Sequence, residues 1–596
     1  MPRHWRFASH DRAMIARLAR EMSCSPLLAQ VLAARGVEDG IQGEQFLSAR
    51  MTDLHPPDLL PGAAEAADRI VSAFRANRRI TIYGDYDVDG VTATSILWHC
   101  LKLAGAKVDY YIPSRMEEGY GLNLEAIRTL HQEDPDRLVV TVDCGICSLA
   151  EASLARELGL ELIITDHHTM AETLPEAATN VHPRLPDGNY PFPELCGAGV
   201  AFKVAWAICQ RLGDGTRSSP RMKAYLISAV GLAAMGTVAD VVPLVGENRI
   251  LVRFGLKSLA ESTIPGIEFL LKIAGIDKNR TLVAEDIGFA LAPRINAAGR
   301  LGQARLAVEL LTTENRSRAA QLADYVDQLN KNRQTVERKM YRQAKELIEQ
   351  HPEWEEHPSL VIAHDEFHSG VMGIVASRIA EKFQKPTIII ALNTETQAGQ
   401  GSGRSFQDFD LHAGLSACEH FLDGFGGHRA AAGLRIQAAR IDPFRLAFAE
   451  QVSREQATGQ KSEPELQIDA EVSLHDLTTR AVHELERLGP FGARHRRPIF
   501  SVSRAQLAEP PSTMGGGGRH LSLKIQAGQK AIRCVAFGKG EWAEELAQVN
   551  GPLDVCFSAG INHYRGFESV ELQLHDWRPT DPPTPSAESF DVSSAV

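Results

Sequence analysis

The sequence predicts an α/β protein: a first domain built on a parallel sheet, a long connecting helix, a second α/β domain and a C-terminal β-barrel of the OB-fold type. Three observations predict it. From Ile80 to about His168 short β-branched runs alternate with helical stretches, which implies right-handed crossovers between parallel strands. From Arg300 to Gln350 no proline interrupts an apolar stripe at helical spacing. From about Glu463 to Arg578 short apolar runs recur between turns, as in a small barrel.

At 596 residues the chain is long enough for about three to four domains. Its 44% hydrophobic and 23% charged residues are those of an ordinary globular protein. The net charge of −12 argues against non-specific coating of nucleic acid, but leaves room for a local basic groove. Nine scattered cysteines form no framework, so reduced thiols are expected. Cys144 and Cys147 make a C-x-x-C with no second pair for zinc, which reads as packing. The opening MPRHWRFASHDRAM lacks an apolar signal core and no apolar run is expected to span a bilayer; the expectation is a cytoplasmic protein with no membrane.

Residues 1–60 carry no functional reading. Within 61–300, ITIY, KVDYYIP, RLVVTVD and ELIITD read as strands. Helices are expected over Thr92–Ala106, Leu122–His131 and Ser148–Leu158. Each of three strands runs into acidic or imidazole groups: ITIY into GDYDVDG with Asp85, Asp87 and Asp89, LVVTV into Asp143, and LIIT into Asp166-His167-His168. Carboxyl ends of parallel strands share one edge, so these groups converge on one cleft. GDYDVDG begins like a calcium loop, but the twelfth position from Asp85 is Ile96, not glutamate, and a strand precedes it. Asp240, leaving the apolar stretch AYLISAVGLAAMGTVAD, is a fourth carboxylate for the cluster.

The connecting helix is expected over 301–352, with Leu322, Val326, Leu329, Val336, Met340, Ala344 and Leu347 as its packed stripe. The second α/β domain, 353–460, reads as strand LVIAHDEFHSG, helix VMGIVASRIAEKF and strand PTIIIAL. Two glycine-rich turns follow, Gly401-Ser402-Gly403-Arg404-Ser405 and Gly424-Phe425-Gly426-Gly427-His428, suited to holding an anion. Residues 461–578 hold the barrel, with Arg519, His520, Lys524, Arg533 and Lys539 on it. The proline- and serine-rich 579–596 reads as a disordered tail.

GDYDVDGVTAT, VDCGI, ITDHH and the late Asp240 resemble the four motifs of the DHH phosphoesterase superfamily. FHSGVMGIVASR, GSGRS and GGHRAAAG resemble its companion DHH-associated domain. APRINAAGR and the trailing barrel narrow the resemblance to the RecJ family of single-strand-specific 5′→3′ exonucleases, over about residues 60 to 575.

The resemblance implies two divalent cations, Mn²⁺ first, Mg²⁺ close behind and Zn²⁺ third, since hard oxygen ligands with one imidazole suit them. It implies Asp87 on one ion, Asp89, His167 and Asp240 on the other, and Asp143 bridging. Asp85 either completes the first ion's ligands or supports them from behind. Asp89, Asp143, His167 and His168 are the expected catalytic set, with His168 at the scissile phosphate or leaving oxygen and Asp166 orienting a histidine. Ser402, Arg404, Ser405 and Arg115 are expected at the 5′ phosphate, Tyr120 stacked on a base, Arg294 and Arg300 along the strand, and His428 in substrate contact. It further implies single-stranded DNA as substrate, a single-strand-binding protein and a repair helicase as partners, a monomer, and a role in DNA repair and recombination. The alternatives are a phosphodiesterase for short oligonucleotides, cyclic dinucleotides or pyrophosphate, and a non-catalytic single-strand-binding scaffold.

Overall fold

Five parallel strands, in the order Val108–Tyr111, Ile80–Gly84, Leu138–Val142, Glu161–Thr165 and Thr179–Val181, form the first sheet. The computed structural model describes residues 3–580 apart from 10, 115–117, 120, 187, 215–216, 278, 459–464, 550 and 565–566. Ile80–Gly84 and Leu138–Val142 are buried along their whole length, as strands covered on both faces by helices must be. The chain runs from Ile80–Gly84 to one side of the sheet and then to the other, which sets the switch point at the ends of Ile80–Gly84 and Leu138–Val142.

The helix after the first strand starts at Val88, four residues before the expected Thr92. Asp87 caps it: Oδ1 accepts from the backbone N–H of Asp89 at 2.9 Å and of Gly90 at 3.1 Å. The helix Pro220–Ala239 is long and apolar enough to cross a membrane, contrary to the sequence expectation; its apolar stretch is 61% buried against neighbouring helices. The stretch read as one connecting helix over 301–352 is two, Ala304–Thr312 and Arg316–Gln350. Asn315 breaks it by accepting from the N–H of Arg318 at 3.1 Å, a cap that starts a new helix.

The second sheet has the order Gly424–Gly427, Ala431–Gln437, Ala398–Arg404, Thr387–Leu392, Leu360–His364. The two glycine-rich segments expected as turns are therefore strands. Packing explains it. A Cβ on Gly401 would lie 2.8 Å from Leu434 Cδ1 and one on Gly403 3.0 Å from Leu411 Cδ2, so these glycines face a crowded core. Strand alternation then turns Ser402 and Arg404 to the opposite face.

The described residues divide into two units, 51–461 and 1–50 with 462–596. In the second, Phe500–Leu507 pairs with both Leu553–Tyr564 and His520–Ala527; Phe567–Pro579 and Lys530–Ala536 complete the closed ring of strands. Glu465–Ile468, expected in the barrel, instead pairs in parallel with His4–Phe7. Leu18, Leu28 and Leu32 from the N-terminal helices share one core with Val482, Phe500 and Phe557.

Candidate active site

Register brings the acidic groups together. Gly84 pairs with Val142, so Asp85 and Asp143 leave adjacent strands side by side. The N–H of Asp143 donates to Thr165 O at 3.0 Å, which sets Asp143 beside Asp166-His167-His168. Asp143 holds φ 63°, a left-handed conformation costing about 1–3 kcal/mol at a non-glycine residue. That strain turns its carboxylate into the cluster.

Ligand-type atoms of Asp89, His167 and Asp240 lie within 4.8 Å of one another, and so do those of Asp85, Asp87 and Asp143. Asp143, with His167 and His168, makes a third such set that joins the two. His167 Nε2 stands 3.2 Å from Asp143 Oδ1, 3.7 Å from Asp89 Oδ2 and 3.7 Å from Asp240 Oδ2. Asp166 orients the second histidine of the pair, its Oδ1 lying 2.7 Å from His168 Nδ1. The same carboxylate accepts from the N–H groups of Ile146, His167 and His168.

Crowding shifts the titrations. Burial, then the charges of Asp89, Asp87, Asp85 and Asp240, pushes the Asp143 carboxyl well above the usual range. Burial, then Asp89 and Asp87, pushes Asp240 up to about 8. Burial lowers His167 to about 4, so its imidazole is neutral. Burial opposes charge on His168 too, but the hydrogen bond and charge of Asp166 outweigh it and raise His168 to about 9. Burial disfavours the Asp166 anion, yet its hydrogen bonds and His168 hold it down at about 2.

Several supporting groups carry no acidic or basic signal in the sequence. The N–H groups of Gly197 and Ala198, at the start of the helix Gly197–Arg211, donate to Asp89 Oδ2 at 2.6 Å and Oδ1 at 2.8 Å. A Cβ on Gly197 would lie 2.4 Å from Asp143 Oδ1, and one on Gly236 2.4 Å from Asp89 Oδ1. Asn296 Oδ1 accepts from the N–H of Val88 at 3.2 Å, which ties the helix Ala292–Arg300 to the GDYDVDG loop. Asn296 lies in the APRINAAGR motif, whereas nothing in the sequence marked Gly197, Ala198 or Gly236 for these roles.

Residues 79–237 match the DHH family, N-terminal domain; residues 357–454 match the DHHA1 domain and 468–576 the RecJ OB domain. The single-stranded-DNA-specific exonuclease RecJ of Escherichia coli (strain K12) is 35% identical over 563 residues, 92% of this chain and 95% of its own length. The chain belongs to the RecJ family. The Bacillus subtilis (strain 168) member is 36% identical over 572 residues, 96% of this chain and 70% of that one. The crystal structure of RecJ in complex with Mn²⁺ from Thermus thermophilus superposes with a TM-score of 0.81 at 31% identity, covering 97% of this chain and 80% of that one. The Mg²⁺ complex of that protein gives 0.74 at 29% identity, with 97% and 79% covered.

The cluster in this RecJ-family chain suits divalent cations on its own geometry. His167 Nε2 is buried, makes no hydrogen bond among the described residues, and is faced by three carboxylates. Carboxylates so crowded stay protonated in part unless a cation compensates them. A donor set of oxygens and one imidazole fits Mn²⁺ or Mg²⁺.

The residues expected at the substrate are less uniformly arranged. Arg404 Nη1 donates to Ser402 Oγ at 3.2 Å and to Gly403 O at 2.7 Å, and Gly373 lets the guanidinium lie close over its backbone. Arg300 Nη1 donates to Gly370 O at 3.1 Å, joining the two α/β lobes. Arg294 donates to Asp327 Oδ1 at 2.9 Å, joining two helices, and to Ala290 O at 2.6 Å, and Ser405 Oγ donates to Phe409 O at 2.6 Å, all structural bonds. His428 is exposed at the turn between two strands. Arg115 and Tyr120 lie outside the described residues.

Proposed function

We propose that this chain is a metal-dependent exonuclease specific for single-stranded DNA, hydrolysing it from the 5′ end to 5′-mononucleotides in DNA repair and recombination. The observation that carries the reading is the pair of ligand sets, Asp85–Asp87–Asp143 and Asp89–His167–Asp240, joined through Asp143 and His167. Each set would hold one divalent cation, with Asp143 shared. Bound cations supply Lewis-acid stabilisation of the phosphoryl oxygens and activation of water.

The chain's own groups do the rest. Neutral His167 offers the lone pair of Nε2 to a cation. The carboxylate of Asp166 holds His168 as imidazolium, whose ring, one-third open to solvent, presents an N–H to a phosphate or leaving oxygen. Backbone amides of Gly197 and Ala198 fix the carboxylate of Asp89. Arg404 and Ser402, half-buried beside Gly373 on the face of the second sheet that carries the helix Met372–Phe383, would hold the terminal 5′ phosphate and thereby set polarity. A monomer, a cytoplasmic location, and a single-strand-binding protein and helicase as partners belong to the same reading, supported by the family relationship.

The test is product analysis on 5′- and 3′-labelled single strands with Mn²⁺, with duplex, dinucleotide and pyrophosphate controls. Mononucleotides released from the 5′ end are the expected product, and preference for dinucleotide or pyrophosphate overturns the reading. Asp143→Asn should lower turnover at least about 100-fold with unchanged circular dichroism.

A further inference from the structure

Between the helix that ends at Asp240 and the helix that carries Arg294, Asn296 and Arg300 lies a π-helical turn, Ile287–Leu291. Its cause is local. Pro293 has no N–H to give the carbonyl of Phe289, and the N–H of Ala292 reaches back instead to Ile287 O. Ile287 and Leu291, at 1% and 0% exposure, anchor the turn in the core. Phe289, two residues from each anchor, is thereby forced to the opposite face, where 82% of its surface is open to solvent. Among the described residues no large hydrophobic is more exposed.

The position of this ring matters more than its exposure, since single surface hydrophobics are common. The turn packs on the end of Pro220–Ala239 that delivers Asp240: a Cβ on Gly288 would lie 3.8 Å from Val238 Cγ1. Val241, directly after Asp240, is itself 69% exposed and holds φ 62°, a strained conformation for a β-branched residue. Val241 thus adjoins a carboxylate of the cluster, and Phe289 stands exposed on a turn packed against the same helix end. Asp240 Oδ2 is 3.7 Å from His167 Nε2, so this is the rim of the site where a phosphodiester would be cleaved.

We infer that Phe289, with Val241 beside Asp240, forms a subsite for an unpaired nucleobase of the strand being cleaved. The inference rests on the reading of the chain as a single-strand exonuclease. In a single strand every phosphate at the cluster brings neighbouring bases with it, and each base has a π-face that a phenyl ring can cover. A base in a duplex is already stacked and paired, so this contact favours single strands.

The test is a cycle between protein and substrate in the full-length chain. Wild-type, Phe289→Ala and Phe289→Trp proteins are assayed with Mn²⁺ on single strands carrying one abasic residue, moved stepwise from the 5′ end. Stacking on one base predicts that Phe289→Ala lowers kcat/KM on the intact strand about 10- to 100-fold and that Phe289→Trp restores most of it. It also predicts that an abasic residue at one position slows the wild type by a similar factor and makes no further difference to Phe289→Ala. Equal kcat/KM for wild type and Phe289→Ala, or abasic effects that simply multiply with the substitution, overturns the inference while leaving the exonuclease reading intact. A wild type that leaves single strands uncut overturns both.

Discussion

At Gly236 a single hydrogen separates the helix Pro220–Ala239 from the carboxylate of Asp89. A methyl group there would meet Asp89 Oδ1 at 2.4 Å and the Cβ of Ala198 at 2.5 Å, both held by backbone on two other helices. Gly236→Ala should therefore cost about 1–3 kcal/mol in urea unfolding and suppress Mn²⁺-dependent turnover, because Asp89 must shift to make room. Gly426, with nothing within 4 Å of its would-be Cβ, is the control: Gly426→Ala should leave the unfolding midpoint where it was. A Gly236→Ala protein of wild-type stability and activity would remove the close-packing account of the site. The acidic residues themselves were legible from their spacing at strand ends. The glycines that make room for them were not, since what each hydrogen faces lies on another element.

Elements are joined by bonds of the same kind. His99, on the helix Val88–Ala104, lies with Nε2 2.8 Å from the carbonyl of Leu311, on Ala304–Thr312. Burial lowers its pKa below the ordinary 6.5, with Leu311 and Glu314 opposing in part. The unfolded chain then binds the extra proton first, so the neutral ring's contribution is complete above pH 6.5 and drains as pH falls below it. Unfolding of wild type at about pH 7 and about pH 5 should show a larger loss than in His99→Gln, which keeps a donor for Leu311 but no titration. Equal losses in the two proteins would mean this junction does not titrate. The second sheet teaches a different lesson at this scale. GSGRS and GFGGH carry every local sign of a turn, yet Leu434, Leu411 and Ile390 leave no room above the glycines of the first, and the chain runs through both as strand. Local propensity lost to packing.

In the whole molecule, described residues of 1–50 and of 462–580 share one core, from Met14 to Leu47 and from Ala470 to Trp577. Leu28 and Leu32 have no exposed surface, and removing residues 1–50 would strip them from the barrel's core. Such a truncation should make the C-terminal unit markedly more sensitive to limited proteolysis; an unchanged digestion pattern would show that the barrel stands without the N-terminal helices. The cations are predicted to act on the other unit. Calorimetry should show the transition of 51–461 rising with Mn²⁺, by about 2.7 kcal/mol at a hundredfold excess over Kd, and returning with chelator. A shift confined to the barrel's transition would displace the cations from this cluster.

The sequence by itself determined the first sheet but for its edge strand Thr179–Val181, two strands of the second, the barrel, and the identity of the acidic and imidazole groups, because strand alternation, helical period and the strand-end rule for parallel sheets are local or topological. Tertiary structure decided what those signals cannot carry: the left-handed Asp143 at the seam of two ligand sets, the amides of Gly197 and Ala198 on Asp89, the pairing of His4–Phe7 with Glu465–Ile468, and the outward turn of Phe289 between two buried anchors. Each depends on contact between residues distant in the chain, and such contacts exist only once the core has chosen which side chains it can hold.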